Sequence, residues 1–107
     1  MKTQKTTLIS EELKYEFFNV GTQEDVADPI IIAKFFNPSG AGTWYAIAYN
    51  EDKNICFGYV TSLGYDERGY FIINELESLS LPPFGLGIER DLYFKSCPLS
   101  EIAGKPS

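Results

Sequence analysis

Apolar and β-favouring positions are densest between Thr43 and Ser62, where TWYAIAYN and ICFGYVTS flank the polar break EDKN. Aromatic and β-branched side chains fit a pleated, half-buried surface, so this pattern predicts a β-hairpin around which the chain is organised. With a loop from Asn50 to Lys53, Ala48 lies opposite Ile55, Ala46 opposite Phe57 and Trp44 opposite Tyr59. The other face then pairs Ile47 with Cys56 and Tyr45 with Gly58, so that small meets large at nearly every rung. A one-residue change in loop length would exchange these partners. Gly58 reads as bare backbone beneath the Tyr45 ring, the alternative being close approach by a ligand.

Periodicity places the other elements around the hairpin. Residues 1–8 read as a flexible leader. Ser10 followed by Glu11 and Glu12 marks a helix start, since a hydroxyl caps free amides and acids face the positive end of the dipole. Ile9, Leu13 and Phe17 then carry the helix to Phe18. Gly21 to Asp28 is a polar loop. Ile30 to Phe36 is an interior strand bounded by Asn37-Pro38-Ser39-Gly40, and Lys34 is its one charge. Either the Lys34 amine snorkels to water, which is the preferred reading, or it meets a buried acid.

Ser62 to Gly69 reads as a turn-rich connection into a short strand at Tyr70 to Ile72. A helix follows, with Asn74 and Glu77 as a reciprocal capping box and Leu76 and Leu79 as its buried stripe. Leu81 to Gly87 is a stiff apolar loop. A last strand runs over Ile88 to Lys95, with Ile88, Arg90, Leu92 and Phe94 on one face and Glu89, Asp91, Tyr93 and Lys95 on the other. Pro98 opens a final helical turn, and residues 104–107 are a tail. The result is one α+β domain over 1–107, an antiparallel sheet of about four to five strands around the central hairpin, packed by two or three short helices.

Charge and residue usage then narrow the chemistry. Fifteen acids against nine bases give a net charge of −6. That argues against direct nucleic-acid binding, which needs a basic stripe to release counterions. The alternative reading of the acids is mimicry of nucleic acid, but their scatter favours a solvated surface. Phe57-Gly58-Tyr59-Val60 overlaps the centre of the RNA-recognition octamer, yet Ile55, Cys56 and Ser62 replace its basic residue, first glycine and last aromatic. Histidine is absent, which removes histidine-activated nucleophiles and histidine metal sites. Cys56 and Cys97 have no CxxC spacing, so no zinc or redox pair is indicated, and two free thiols are expected. No apolar run reaches the ~20 residues needed to cross a bilayer, and no signal peptide opens the chain, so a cytoplasmic chain without membrane attachment or cofactor is expected.

Arg90 stands among apolar neighbours. It is read as paired with a carboxylate such as Glu77 or Asp28, the alternative being an anion-binding residue.

Several stretches carry a resemblance: Asp28-Pro29, Lys34-Phe35-Phe36, Thr43-Trp44-Tyr45-Ala46, Phe57-Gly58, Gly69-Tyr70-Phe71, Glu75-Leu76-Glu77, and above all Ile88-Glu89-Arg90-Asp91-Leu92-Tyr93-Phe94. Together they resemble, over residues 28–103, a small bacterial family of unknown function found on plasmids, conjugative elements and phages. The chain departs from it in the N-terminal helix and at Tyr65-Asp66-Glu67-Arg68. The resemblance implies an accessory protein of a mobile element and brings no catalytic residues.

Three readings follow. The first is a protein that binds a protein partner stoichiometrically, such as a host defence or replication component, with aromatic and charged contacts drawn from Lys34, Trp44, Tyr45, Glu89, Arg90, Asp91 and Tyr93. The second is a sequestrant of a small anionic or nucleotide ligand, using Arg90 and Lys34 for the anion and Trp44 or Tyr45 for a stacked base. The third, an enzyme built on Glu89 and Asp91, ranks last because both acids are expected in water. Oligomeric state is left open.

Overall fold

The computed structural model describes residues 7–62, 64–80 and 85–103, and its centre is the expected hairpin: β3 (Thr43–Asn50) paired antiparallel with β4 (Ile55–Ser62). Residues 81–84 of the predicted loop, the tail at 104–107 and residues 1–6 of the leader lie outside the described residues. Ahead of the hairpin come α1 (Glu11–Val20), β1 (Ile30–Ile31) and β2 (Ala33–Phe36). After it come β5 (Tyr65–Ile72), α2 (Ile73–Ser78), β6 (Glu89–Arg90), β7 (Cys97–Pro98) and α3 (Ser100–Ala103). Among the described residues the strands form one antiparallel five-stranded sheet in the order β5-β4-β3-β2-β6, and a small sheet that pairs β1 with β7. The α+β expectation holds.

The hairpin register differs from the sequence reading. Asn50 pairs with Ile55, so the turn is Glu51 to Asn54, and the ladder slips between Ala46 and Ala48. This is a β-bulge at Ile47, an extra residue that sequence alternation cannot locate. Its effect is large. Ile47 and Ala48 both turn to one side of the sheet, while Tyr49 turns to the other, where its ring meets Phe17 of α1 at 5.8 Å. Gly58 therefore faces Ala46 rather than Tyr45. A Cβ at Gly58 would strike the Tyr45 carbonyl oxygen and come within 3.0 Å of the Phe71 ring. Packing does demand the glycine, but the ring over it is Phe71.

One side of the sheet is closed by helices. Ser10 caps α1 as predicted, its Oγ accepting from the Leu13 amide at 3.1 Å, and Leu13 and Phe17 are the buried stripe. They meet Ala33, Phe35, Ala46, Cys56 and Phe71 from the sheet and Ile73 and Leu76 from α2. Leu8, read as part of a flexible leader, is buried there too, and its amide donates to Glu77 Oε2 at 2.9 Å. Glu77 thus ties down the start of the chain instead of completing a capping box. Nor does Asn74 cap α2. Asn54 in the hairpin turn does so from outside, its carbonyl oxygen accepting from the Ile73 amide and its Oδ1 from the Asn74 amide. Leu79 follows the helix and is exposed, so the stripe is Ile73 and Leu76.

Two predicted connections change character. The segment read as turn-rich, Ser62 to Gly69, is mostly strand: β5 pairs with β4 from Tyr65 to Ile72, with Gly64 at φ +92° in the turn. Its polar residues are accommodated because β5 is an edge, where exposed charges blunt further pairing. The long apolar strand at Ile30 to Phe36 is instead split at Ile32. β2 stays in the main sheet, whereas β1 peels away to meet β7 and the layer formed with α3. Pro98 belongs to β7, and α3 is capped by Asp28, whose carboxylate accepts from the Ser100 amide at 2.9 Å and hydroxyl at 2.8 Å.

Candidate functional site

The side of the sheet away from α1 and α2, here the far face, carries the polar chemistry. Pairing across four strands aligns Arg68, Tyr59, Tyr45 and Lys34 in one rung. The two phenol rings lie 6.4 Å apart, and Lys34 Nζ stands 6.0 Å from the Tyr45 centroid, at the outer reach of a cation–π contact. A thin cover of Ile31, Leu99, Ile102 and Phe94 packs against this rung and the bulged Ile47. Burial pushes the Tyr45 phenol above its ordinary range, with Cys97 and Asp91 adding to the effect. Tyr59 moves the same way through burial and its neighbour Asp66.

The predicted last strand ends after Arg90, because Asp91 folds the chain into a turn. Its Oδ1 accepts the Tyr93 amide at 2.9 Å, and its carbonyl oxygen accepts the Phe94 amide at 3.2 Å. This is the side-chain-to-backbone turn that aspartate favours, and it was the signal available in the sequence. The turn is fastened on three sides. The Asp91 amide donates to the Lys34 carbonyl oxygen at 2.9 Å, Asp91 Oδ2 pairs with Lys34 Nζ at 3.7 Å, and Phe94 sets its ring 6.1 Å from that of Tyr45. Lys34 therefore meets a half-buried acid, the less favoured of its two expectations.

Fastening residues 91 and 94 leaves the two between them pointing outward. Leu92 is 75% exposed and Tyr93 93% exposed. Leu92 was expected on an inward face with Arg90 and Phe94; the turn removes it from that face. Glu89, opposite Phe36, is exposed beside them on the edge strand.

Lys34, Tyr45 and Asp91 are thus brought together, with Glu89 and Tyr93 next to them. Trp44 and Arg90 are not. Trp44 packs at the margin of the helix-covered core. Arg90 pairs across the ladder with Phe35, one residue from Lys34 and hence on the opposite face, since successive residues alternate. Its guanidinium reaches Ser10 Oγ at 3.5 Å. Glu77 and Asp28, its expected partners, are engaged with Leu8 and Ser100. Arg90 and Lys34 cannot converge on one anion.

Two features escaped the sequence reading. A groove of about 480 Å³ opens at the hairpin end, lined by Ala48, Asn50, Lys53, Ile55, Phe57, Tyr70, Thr22, Glu24 and Tyr49, with the Phe57 and Tyr70 rings 5.3 Å apart. Lys53 and Glu24 give its lining opposite charges. The second is Gln23, buried and left-handed at φ 56°. Its Nε2 donates to the carbonyl oxygens of Ile30 and Ile47, each at 2.9 Å, and its Oε1 accepts the Ile30 amide at 2.8 Å. Gln23 therefore stitches β1 to the bulge.

Both cysteines are free; Cys56 is buried in the helix-side core and Cys97 is half-buried in the small sheet. Among the described residues no helix is long and apolar enough to cross a membrane, and no cluster of three or more metal-ligating side chains occurs.

The sequence model of a family described as "Protein of unknown function (DUF2958)" matches residues 5–105. The chain belongs to this family. Membership in DUF2958 takes in the hairpin, the Lys34–Asp91 clamp and the exposed turn alike, and it assigns no activity to any of them. No curated protein and no solved structure matches the chain.

Proposed function

We propose that this chain is a small accessory protein of a mobile genetic element that acts by binding a protein partner stoichiometrically, with the turn at Asp91 to Phe94 as the contact. The observation that carries this reading is the exposure of Leu92 and Tyr93 on a clamped turn. Large side chains on mobile loops lose their exposure advantage to the entropy of ordering, whereas a turn fixed before encounter does not. Tyrosine is among the residue types that anchor interfaces, because its ring adds contact area with few rotors. The net charge of −6 adds steering towards a basic partner. Occupying a host defence or replication component is the role that suits such a protein, and counter-defence is the specific form we favour.

The test is capture from the native host on immobilised protein, with the Leu92→Ser, Tyr93→Ala double variant as control bait, followed by titration of the partner so identified. The expected result is saturation at equal molar amounts, with affinity reduced about tenfold or more in the variant. Complete inhibition of the partner at strongly substoichiometric amounts would mean turnover and would remove the reading.

A further inference from the structure

Resting on the reading of this chain as a protein binder, we infer that the outward face of α1 is a second docking surface, and that its occupant is a basic amphipathic helix of a protein partner. The face is unusual for the solvent side of a helix. Tyr15 is 67% exposed and Phe18 82% exposed, and a spacing of three residues places both on one face of the helix. Neither contributes to the core, which α1 reaches through Leu13 and Phe17. Two exposed aromatics on one helix face, rimmed by polar residues, have the form of an interaction site.

Charge selects the occupant. Glu11, Glu12 and Glu16 are all exposed on the same helix, and its one cation, Lys14, is already held by Glu11 and Glu51, each at 3.1 Å. A second copy of this face would bring glutamates against glutamates. Anionic lipid and nucleic acid are repelled in the same way. A lysine- or arginine-bearing segment with apolar anchors meets both requirements, and a helix is the natural form, since side-chain ridges of one helix seat in the grooves of another.

The experiment uses the full chain and a labelled synthetic peptide helix with leucines on one face and lysines on the other, beside a matched peptide carrying glutamates in place of the lysines. Fluorescence anisotropy should show saturable one-to-one binding of the lysine peptide, weakening as salt is raised. Tyr15→Ser with Phe18→Ser should weaken it about tenfold or more. Because both side chains are exposed, thermal melts should confirm that this double variant stays folded. Leu92→Ser with Tyr93→Ala should leave peptide affinity unchanged. Equal affinity in the Tyr15/Phe18 variant, or equal binding of the glutamate peptide, would overturn the inference. A native partner lost with Tyr93 but indifferent to Tyr15 and Phe18 would also overturn it, and would leave the proposed function standing.

Discussion

The two faces of the main sheet are held by different physics. On the helix side, Phe35, Ala46, Cys56 and Phe71 meet Leu13, Phe17, Ile73 and Leu76 in a continuous apolar layer. On the far face the cover is made of short, irregular pieces, and each piece is pinned by a polar side chain from elsewhere. Lys34 holds the turn at Asp91, Asp28 holds the start of α3, and Arg68 Nη2 reaches the Ala27 carbonyl oxygen at 3.2 Å. Gln23 secures β1 to the bulge. The helix side is non-directional and tolerant of detail, as hydrophobic burial is. The far face depends on specific hydrogen-bond geometry, and that geometry is what fixes and displays Leu92 and Tyr93.

On this contrast, the largest loss should come from the apolar side. Phe35 is fully buried, and Phe35→Ala should lower unfolding free energy by about 3–5 kcal/mol through lost burial and the cavity left behind. Chemical denaturation measures it, and a loss below about 1 kcal/mol would show that the core can collapse around the gap. Next should come Gln23→Ala, which strands the buried Ile47 carbonyl oxygen and both main-chain groups of Ile30, at a cost of about 2–3 kcal/mol. Gln23→Glu sharpens this test, because a carboxylate can still accept the Ile30 amide but cannot donate to the two carbonyl oxygens.

A smaller effect is expected at the clamp. Asp91→Asn keeps an oxygen for the Tyr93 amide and removes the ion pair with Lys34, so it should cost no more than about 1 kcal/mol. Asp91→Ala removes both. Amide exchange at Tyr93 should quicken in the alanine variant and stay near wild type in the asparagine variant. Equal exchange in the two would show that the ion pair, not the turn bond, orders this segment.

The mildest probe is alkaline pH, which touches both faces at once. Burial raises the thiol of Cys56 and the phenols of Tyr45, Tyr49 and Tyr59 above their unfolded values, by penalising the charged form. The unfolded chain therefore gives up these protons first as pH rises, and unfolding releases protons. The stabilisation is fully present below the ordinary thiol value of 9.0 and declines as pH climbs past it and past the ordinary phenol value of 10.0. Denaturant midpoints followed upward from pH 8 should therefore hold at first and fall above about pH 9. In Cys56→Ala the earlier, thiol-linked part of the fall should shrink to the share left by Cys97, whose thiol is also raised by burial and by Glu101, while the phenol-linked part remains, and a flat profile in the wild type would remove the assignment.

The contrast between faces also marks how far the sequence could be read. The Ser10 cap, the Leu13–Phe17 stripe and the two hairpin strands are short-range features: a hydroxyl three residues from the amide it satisfies, and side chains whose spacing matches a helical or extended repeat. Those were legible. Residues 91–94 were half legible, since Asp91 carries its own turn chemistry but the alternating pattern of Ile88 to Phe94 argued for a longer strand.

By itself the sequence determined the α+β class, the central hairpin, the first helix with its cap, and the lack of histidine chemistry, because periodicity, capping and composition act over a few residues or over none. The tertiary structure alone decided the bulge at Ile47, the capping of α2 by Asn54, the separation of Arg90 from Lys34, and the outward turn of Leu92 and Tyr93. Each of these is a choice of partner made across tens of residues, and a linear pattern records which side chains can bond but not which of them will meet.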